Sequence, residues 1–339
     1  MEIQNKDVWV FIEQRNGKPA DVSFELLSKG RKLAENLKGN LKAVVIGNKI
    51  RQLAEETFRY GVVEALVVDH AELENYRTIP YSRILIELVE IHKPRVILYG
   101  ATIIGRDLAP RVASHTRSGL TADCTDLQIS TVKYLKKEYD NLLLQIRPAF
   151  GGNIIATIIS PEVETQMATV REGVMRLEPL PDHVKGKITE VPFISHDYDN
   201  VIKIIEQHRK ENKVNLKGAS IIVSGGYGIG SKSNFKLIHE LAAAIGGEVA
   251  GSRAAVDAGF INVDRQVGQT GVTVRPKLYI ACGISGAIQH RAGMNESNKI
   301  VAINSDPDAP IFSVAHFGIV GDAMQIIPMF INEFKQKLR

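Results

Sequence analysis

The side chains best suited to chemistry gather in residues 251–306, a stretch that also contains seven glycines. The candidates are Arg253, Gln269, Thr270, Gln289 and His290. These side chains have neither the spacing of a metal site nor the chain order of a serine-protease triad. Together they offer hydrogen bonds and a fixed positive charge, which suit a redox ring that becomes negative on reduction.

Glycines after an apolar run indicate where phosphate would bind in this stretch. Residues 278–281 form the run, and Gly283 and Gly286 follow it just before a predicted helix. A strand that ends in glycines and leads into a helix presents free backbone N–H groups, which attract phosphate. The stretch therefore predicts a dinucleotide held by the backbone and tuned by side chains.

The same side chains also have structural interpretations, which stay open at this point. Arg253 could form a surface ion pair with Asp257, four residues later on a helix. His290 could be an ordinary structural hydrogen-bond donor. Taken singly, each residue favours the structural interpretation, and only the set favours a ligand site.

Composition limits the kinds of protein that this chain can be. The 339 residues suffice for two domains, and the net charge of +4 is too small and dispersed to indicate nucleic-acid binding. The two cysteines, Cys124 and Cys282, form no metal-binding or disulfide framework and suit a reducing compartment. Neither a signal peptide nor a membrane span is recognisable, so we expect a cytoplasmic protein.

Alternating strand and helix patterns predict an α/β fold with two doubly wound parallel-sheet domains, the second Rossmann-like. Alternation over 127–132, 141–146 and 153–159 predicts antiparallel strands that close the first sheet. Prolines mark a connecting region after residue 160. We place the boundary between about 190 and 215, with an N-terminal domain over 1–205 and a C-terminal domain over 206–339.

Two glycine-containing segments invite a more specific interpretation. Residues 100–124 leave a strand and enter a helix, in which Pro110 either sits in the first turn or causes a kink. This segment is either a ligand-binding edge of the sheet or a region where Gly105 and Gly119 merely make turns. Residues 225–230 form a glycine cluster, but Ser231 replaces the third glycine of a dinucleotide fingerprint, so we predict a tight turn before a helix over 234–244.

A last helix over 322–338 is predicted to be capped by Asp322.

Long segments of the chain resemble the electron transfer flavoprotein alpha subunit. They read GSRAAVDAGF, VGQTG, GISGAIQHRAGM and VAINSDPDAPIF in the second half, and GATIIGRDLAPRVA and GLTADCTDL in the first. The resemblance spans nearly the whole chain. It implies that the second domain binds FAD and that the first packs against a beta subunit.

The resemblance also implies roles for individual residues. Arg253 would lie against the isoalloxazine ring and favour its half-reduced, negatively charged form. Thr270 would hydrogen-bond near the reactive nitrogen, and His290 would lie near the pyrimidine carbonyl. The other implied cofactor contacts are Ser252, Val267, Gly268 and Gln269 around the ring, Ser285, Gly286, Ala287, Ile288 and Gln289 at the pyrophosphate, and Asn304, Asp322 and Ala323 at the adenosine half. Tyr227 stands where the family usually has an arginine that contacts FAD.

By this resemblance the chain carries electrons between a dehydrogenase and an acceptor. The dehydrogenase would be an acyl-CoA dehydrogenase or a similar protein. The sequence shows no clear arrangement for a general base, which bond-making chemistry would need. This favours an electron carrier. Within the family, an alternative is electron bifurcation from NADH with a second FAD in the beta subunit. Alternatives from other classes are a nicotinamide-dependent dehydrogenase, which the incomplete fingerprint disfavours, and a nucleotide-binding interaction module.

Overall fold

The computed structural model describes residues 5–149, 154–181, 185–202, 204–206 and 216–337. Within them, residues up to 206 belong to one compact unit and residues from 216 to another. Both units are built on parallel sheets with helices, which confirms the predicted α/β class. Asn153 and Leu338, which we predicted in a strand and a helix, lie outside the described residues. Among those described, no helix has the length and apolar character needed to span a membrane.

The N-terminal unit contains the following elements in chain order. Its strands are β1 (Val8–Ile12), β2 (Gln14–Arg15), β3 (Lys18–Pro19), β4 (Leu41–Gly47), β5 (Glu64–Asp69), β6 (Val96–Gly100), β7 (Gly119–Cys124), β8 (Asp126–Tyr134), β9 (Lys137–Ala149), β10 (Ile154–Ile158), β11 (Gln166–Val170) and β12 (Lys187–Glu190). Its α-helices are α1 (Asp21–Leu37), α2 (Arg51–Thr57), α3 (Thr78–His92) and α4 (Ile103–His115).

Seven of these strands form one parallel sheet in the order β12-β5-β4-β1-β6-β11-β7. The strands β1, β6 and β11 are buried along their whole length, and the nearly continuous apolar sequences of β1 and β6 predict this for a sheet covered on both faces. One face packs against Leu26 and Leu33 of α1, and the other against Leu85 of α3 and Leu108 of α4. The unit therefore has a core on each side of its sheet.

The prediction that antiparallel strands close this sheet is wrong. β8, β9 and β10 pair antiparallel in a separate three-stranded sheet, joined by a β8–β9 turn at Leu135 and Lys136 with positive φ angles of 49° and 65°. The neighbouring strands β7 and β11 are parallel, so the chain needs a long crossover between them, and this small sheet provides it. Alternation revealed antiparallel strands but not the sheet to which they belong.

Arg95, just before β6, forms hydrogen bonds with this crossover. Its guanidinium is buried and donates to the carbonyl oxygens of Val163 and Glu164, both at 2.9 Å, and of Asn141 at 3.3 Å. These carbonyls belong to β9 and to the segment just before β11. The contacts hold the returning chain where β11 must enter the sheet.

Most of the segment 100–124 is regular secondary structure, namely helix α4 and strand β7. Pro110 lies in the interior of α4, so the alternative that places it in the first turn is wrong. Gly105 lies inside α4, where its amide donates to the Thr102 hydroxyl at 2.9 Å, and Gly119 begins β7. Neither glycine simply makes a turn, and ligand binding at this edge stays a prediction.

The C-terminal unit is a five-stranded parallel sheet in the order β14-β13-β15-β16-β17. Its strands are β13 (Ile221–Gly225), β14 (Glu248–Gly251), β15 (Leu278–Cys282), β16 (Ile300–Asn304) and β17 (Phe317–Val320). Its α-helices are α5 (Lys236–Ile245), α6 (Arg253–Asp257), α7 (Ile288–Arg291) and α8 (Ala323–Lys337). The strand order reverses between β13 and β15, and open α/β sheets bind ligands beyond the carboxyl ends of their strands at such a point.

Glycines allow the loops after β13 and β15 to touch at this reversal. The Gly226 amide donates to the Cys282 carbonyl at 2.8 Å, and the Gly228 amide donates to the Gly283 carbonyl at 3.0 Å. A Cβ atom on Gly226 would lie 2.1 Å from the Gly283 oxygen, so a side chain would separate the loops. The predicted tight turn is confirmed, although α5 begins two residues later than expected.

The predicted cap of the last helix is also confirmed. The Asp322 carboxylate accepts from the Met324 amide at 2.8 Å, which satisfies one free N–H group at the start of α8. Pro328 lies in the helix interior.

Candidate functional site

A cavity of about 750 Å³ lies within the C-terminal unit, beyond the carboxyl ends of β13 to β16. This volume falls in the range of small-molecule and cofactor sites. The lining residues that we predicted as cofactor contacts are Ser252, Arg253, Val267, Gly268, Gln269, Thr270, Ser285, Ala287, Gln289, His290 and Asn304. The loops that follow four neighbouring strands thus bring eleven of the fifteen predicted residues around one space.

Four predicted residues do not line the cavity. Gly286 and Ile288 lie in the same loop and helix start as lining residues, whereas Asp322 and Ala323 lie at the start of α8. Ala323 packs in the hydrophobic core beneath that helix. Contact of these four with a cofactor stays a prediction.

The sequence singles out two further lining residues without assigning them as contacts: Gly283 in the predicted phosphate-binding turn, and Tyr227 in place of the family's arginine. Sequence reasoning missed the other lining residues, which are Gly228, Ala254, Asp257, Gln266, Ile284, Asp306 and Ala309. Most lie within a few residues of a strand end, so a strict rule that every residue after a parallel strand is a candidate would have found them. Asp257, Gln266 and Ala309, which are farther from the end of the preceding strand, have no comparable signal.

Arg253 forms the ion pair of its structural interpretation and also lines the cavity, while its action on a ligand stays a prediction. It is the first residue of α6, lines the cavity and forms an ion pair with Asp257, with Nε 3.3 Å from Oδ2. The two side chains are 71% and 64% exposed, and ion pairs at such exposure contribute little energy. The pair therefore leaves the guanidinium able to act on a ligand in the cavity.

Gln266 orients the hydroxyl group of Thr270. Its Nε2 donates to the Thr270 oxygen at 3.0 Å, and the Val272 amide holds the Gln266 carbonyl at 2.8 Å. A hydroxyl that accepts one hydrogen bond still has its own proton to donate. The loop also contacts the β15 side of the cavity, since the Gln269 amide donates to the Gln289 carbonyl at 2.7 Å.

His290 is buried at the cavity wall and is neutral near pH 7. Its Nε2 lies 3.1 Å from the Tyr279 hydroxyl. Within the described part of the chain, no hydrogen bond of acceptable geometry reaches Nδ1. Burial lowers the pKa of His290 to about 4 and outweighs the Val267 backbone, which raises it. The positive charge at this wall is therefore that of Arg253 and not of His290.

The buried, neutral state of His290 makes stability depend on pH. In the unfolded chain its pKa returns to about 6.5, so below that pH the unfolded state binds a proton that the folded state refuses. We expect the free energy of unfolding of the flavin-free chain to fall by about 1 kcal/mol between pH 7.5 and about 5.5, and to continue falling until about pH 4. Urea unfolding at several pH values measures this loss.

His290→Asn is the control for this pH dependence. It removes the titrating imidazole, so its unfolding free energy should lack this part of the decline while other groups titrate as before. An identical decline in the wild-type chain and the variant would show that His290 is not the group responsible.

The cavity offers the groups expected around the redox ring that the sequence predicts. It combines a large volume, the positive charge of Arg253 on one wall, the Thr270 hydroxyl proton and the buried, neutral imidazole of His290. These are the groups that a ring with carbonyl and nitrogen acceptors and a developing negative charge would engage.

Comparison with known proteins assigns both halves of the chain. Residues 8–195 match the family described as electron transfer flavoprotein domain, and residues 215–295 match the electron transfer flavoprotein FAD-binding domain. The chain is 52% identical to the electron transfer flavoprotein subunit alpha of Thermoanaerobacterium thermosaccharolyticum, over 98% of each chain. It is 47% identical to Protein FixB of Clostridium saccharobutylicum, over 98% of this chain and 97% of the relative.

A third relative is named after its role in a reductase. It is the acryloyl-CoA reductase electron transfer subunit beta of Anaerotignum propionicum, 44% identical over 98% of this chain and 96% of the relative. The resemblance found in the sequence is thereby confirmed. The chain belongs to the electron transfer flavoprotein family, as a homologue of its alpha subunit with a flavin-dependent electron-transfer function.

Proposed function

We propose that the C-terminal unit binds FAD in the cavity beyond β13 to β16, and that the chain is the alpha subunit of a cytoplasmic heterodimer. The convergence of Arg253, Thr270 and His290 on one cavity at the reversal of strand order carries this proposal. A bound flavin supplies the capacity to accept and release electrons one at a time. The protein supplies the pocket, the hydrogen bonds and the charge.

Within this proposal each group of residues has a separate task. Arg253 places its charge beside the isoalloxazine ring, Thr270 donates its proton to the ring edge, and Gln266 keeps the Thr270 hydroxyl in position. His290 contributes a neutral imidazole near the pyrimidine side. Ser252, Val267, Gly268 and Gln269 line the ring, residues 285–289 hold the pyrophosphate, and Asn304, Asp322 and Ala323 surround the adenosine half.

The partners in this proposal are a beta subunit and acyl-CoA dehydrogenases or related enzymes. The N-terminal domain, residues 1–205, would pack against the beta subunit, and residues 206–339 would hold FAD. Similarity to an electron transfer subunit of acryloyl-CoA reductase supports a redox partner that acts on acyl-CoA. The first dehydrogenase partners to test are therefore those with acyl-CoA substrates.

Counting flavins in the purified heterodimer tests the proposal. We expect one FAD, released by denaturation and identified by chromatography, and reduction of this FAD by a reduced acyl-CoA dehydrogenase. Two FAD molecules per heterodimer, with reduction by NADH, would instead support electron bifurcation. A colourless protein that binds NAD and no flavin would overturn the proposal in favour of a nicotinamide-dependent dehydrogenase.

A further inference from the structure

Tyr227 presents an aromatic ring at the cavity from a fixed position in the backbone. Among the described lining residues it alone carries a phenyl-type ring. Its neighbours Gly226 and Gly228 donate backbone hydrogen bonds to Cys282 and Gly283, which hold the Tyr227 backbone against the loop after β15. Tyr227 itself is 64% exposed.

A second aromatic residue supports the exposed ring from the protein side. The rings of Tyr227 and Phe260 are nearly parallel, at 12°, with centroids 5.9 Å apart. Phe260 is half-buried against the hydrophobic core and lies 6.3 Å from Phe235, which is fully buried. The Tyr227 ring thus continues an aromatic row from the core to the cavity wall, and a ligand ring stacked on it would extend that row.

The position of Tyr227 relative to the strands indicates which part of the ligand it contacts. Its loop follows β13, whose neighbour β14 leads into Arg253 and Asp257 on the same wall. Asn304 ends β16, two strands away from β13, which corresponds to about 10 Å at the usual strand spacing. Because Arg253 is assigned to the isoalloxazine ring and Asn304 to the adenosine half, Tyr227 belongs with the isoalloxazine ring.

We propose that Tyr227 stacks on the isoalloxazine ring of the bound cofactor and thereby strengthens its binding. This inference rests on the proposed function. A tyrosine loses little side-chain freedom when it is already supported, and its uncharged face suits a planar ring rather than a phosphate. Offset stacking of this kind strengthens binding roughly three- to tenfold.

Flavin affinity in ring-substituted variants tests this inference. Fluorescence titration of the flavin-free, full-length chain with FAD should show binding that is roughly three- to tenfold weaker for Tyr227→Leu, which keeps apolar contact with Phe260 but removes the ring. Tyr227→Phe should stay within threefold of the wild-type chain. The matched control is Phe317→Leu, because Phe317 is 63% exposed in the same unit and does not line the cavity.

Separate probes identify the ring that Tyr227 contacts. FMN binding should weaken in Tyr227→Leu by the same factor as FAD binding, and ADP binding should not change. Weakening of less than threefold, an equal effect of Phe317→Leu, or an effect on ADP without one on FMN would overturn this inference alone. A wild-type chain that binds no flavin would overturn the proposed function as well.

Discussion

Arg253→Ala should lower the yield of half-reduced flavin during stepwise reduction of the protein. The half-reduced, negatively charged ring gains a unit charge, and the guanidinium on α6 is the fixed cation assigned to stand beside it. Two unit charges about 4 Å apart interact by about 1 kcal/mol in water and about 4 kcal/mol near a protein surface. We therefore expect the formation constant of the half-reduced form to fall at least about fivefold, measured from absorbance spectra during reduction.

Two further variants test whether the positive charge of Arg253 causes this effect. Arg253→Lys keeps the charge and should retain most of the yield. Asp257→Asn removes the carboxylate that partly cancels the guanidinium, so it should raise the yield above that of the wild-type protein. An unchanged yield in Arg253→Ala, at full FAD content, would remove Arg253 from this role.

Gly286→Ala should destabilise the C-terminal unit by about 3 kcal/mol or more. Gly286 has a φ angle of 88°, which costs a residue with a Cβ atom roughly 1 to 2 kcal/mol. A Cβ atom there would also lie 2.2 Å from the Ile311 backbone nitrogen, so the loop after β15 would have to move away from the chain at Ile311. Guanidinium unfolding followed by circular dichroism measures the change.

Gly246→Ala is the matched control for this prediction. Gly246 also has a positive φ angle, 68°, but a Cβ atom there would meet nothing within 4 Å. It should therefore cost only the backbone term, roughly 1 to 2 kcal/mol. Trp9, the chain's single tryptophan, is buried in the N-terminal unit, and its fluorescence should report no change in that unit. Equal midpoints for the two variants would show that the loop relaxes freely.

Much of the fold follows from hydrophobic patterns that depend only on local sequence. The continuous apolar runs of β1 and β6 predict strands buried on both faces, and the structure has them in one parallel sheet. The placement of β8 to β10 could not be predicted in the same way, because strand alternation shows which face is buried but not which strand is the neighbour. The hydrogen bonds from Arg95 to the Val163 and Asn141 carbonyls help to hold these strands in place, and they join residues that are distant in sequence.

The site was predictable to the extent that it consists of strand ends. Ser252, Arg253, Ser285 and Asn304 each lie within a few residues of a parallel strand, and all line the cavity. Gln266 was not predictable, because its role comes from a side-chain contact with Thr270 that no sequence pattern encodes. The neutral state of His290 also required the structure, since a lone histidine in a sequence carries no information about its burial.

The position of β11 has a consequence for synthesis on the ribosome. β11 lies between β6 and β7, although both of those strands precede it in the chain. A nascent chain that has emerged only as far as β10 therefore leaves β6 and β7 without the strand that pairs with both, and such unpaired strand edges are prone to pair with other chains. The gap between β6 and β7 cannot be filled until residue 170 has left the exit tunnel, so a ribosome that pauses shortly before this point would favour aggregation.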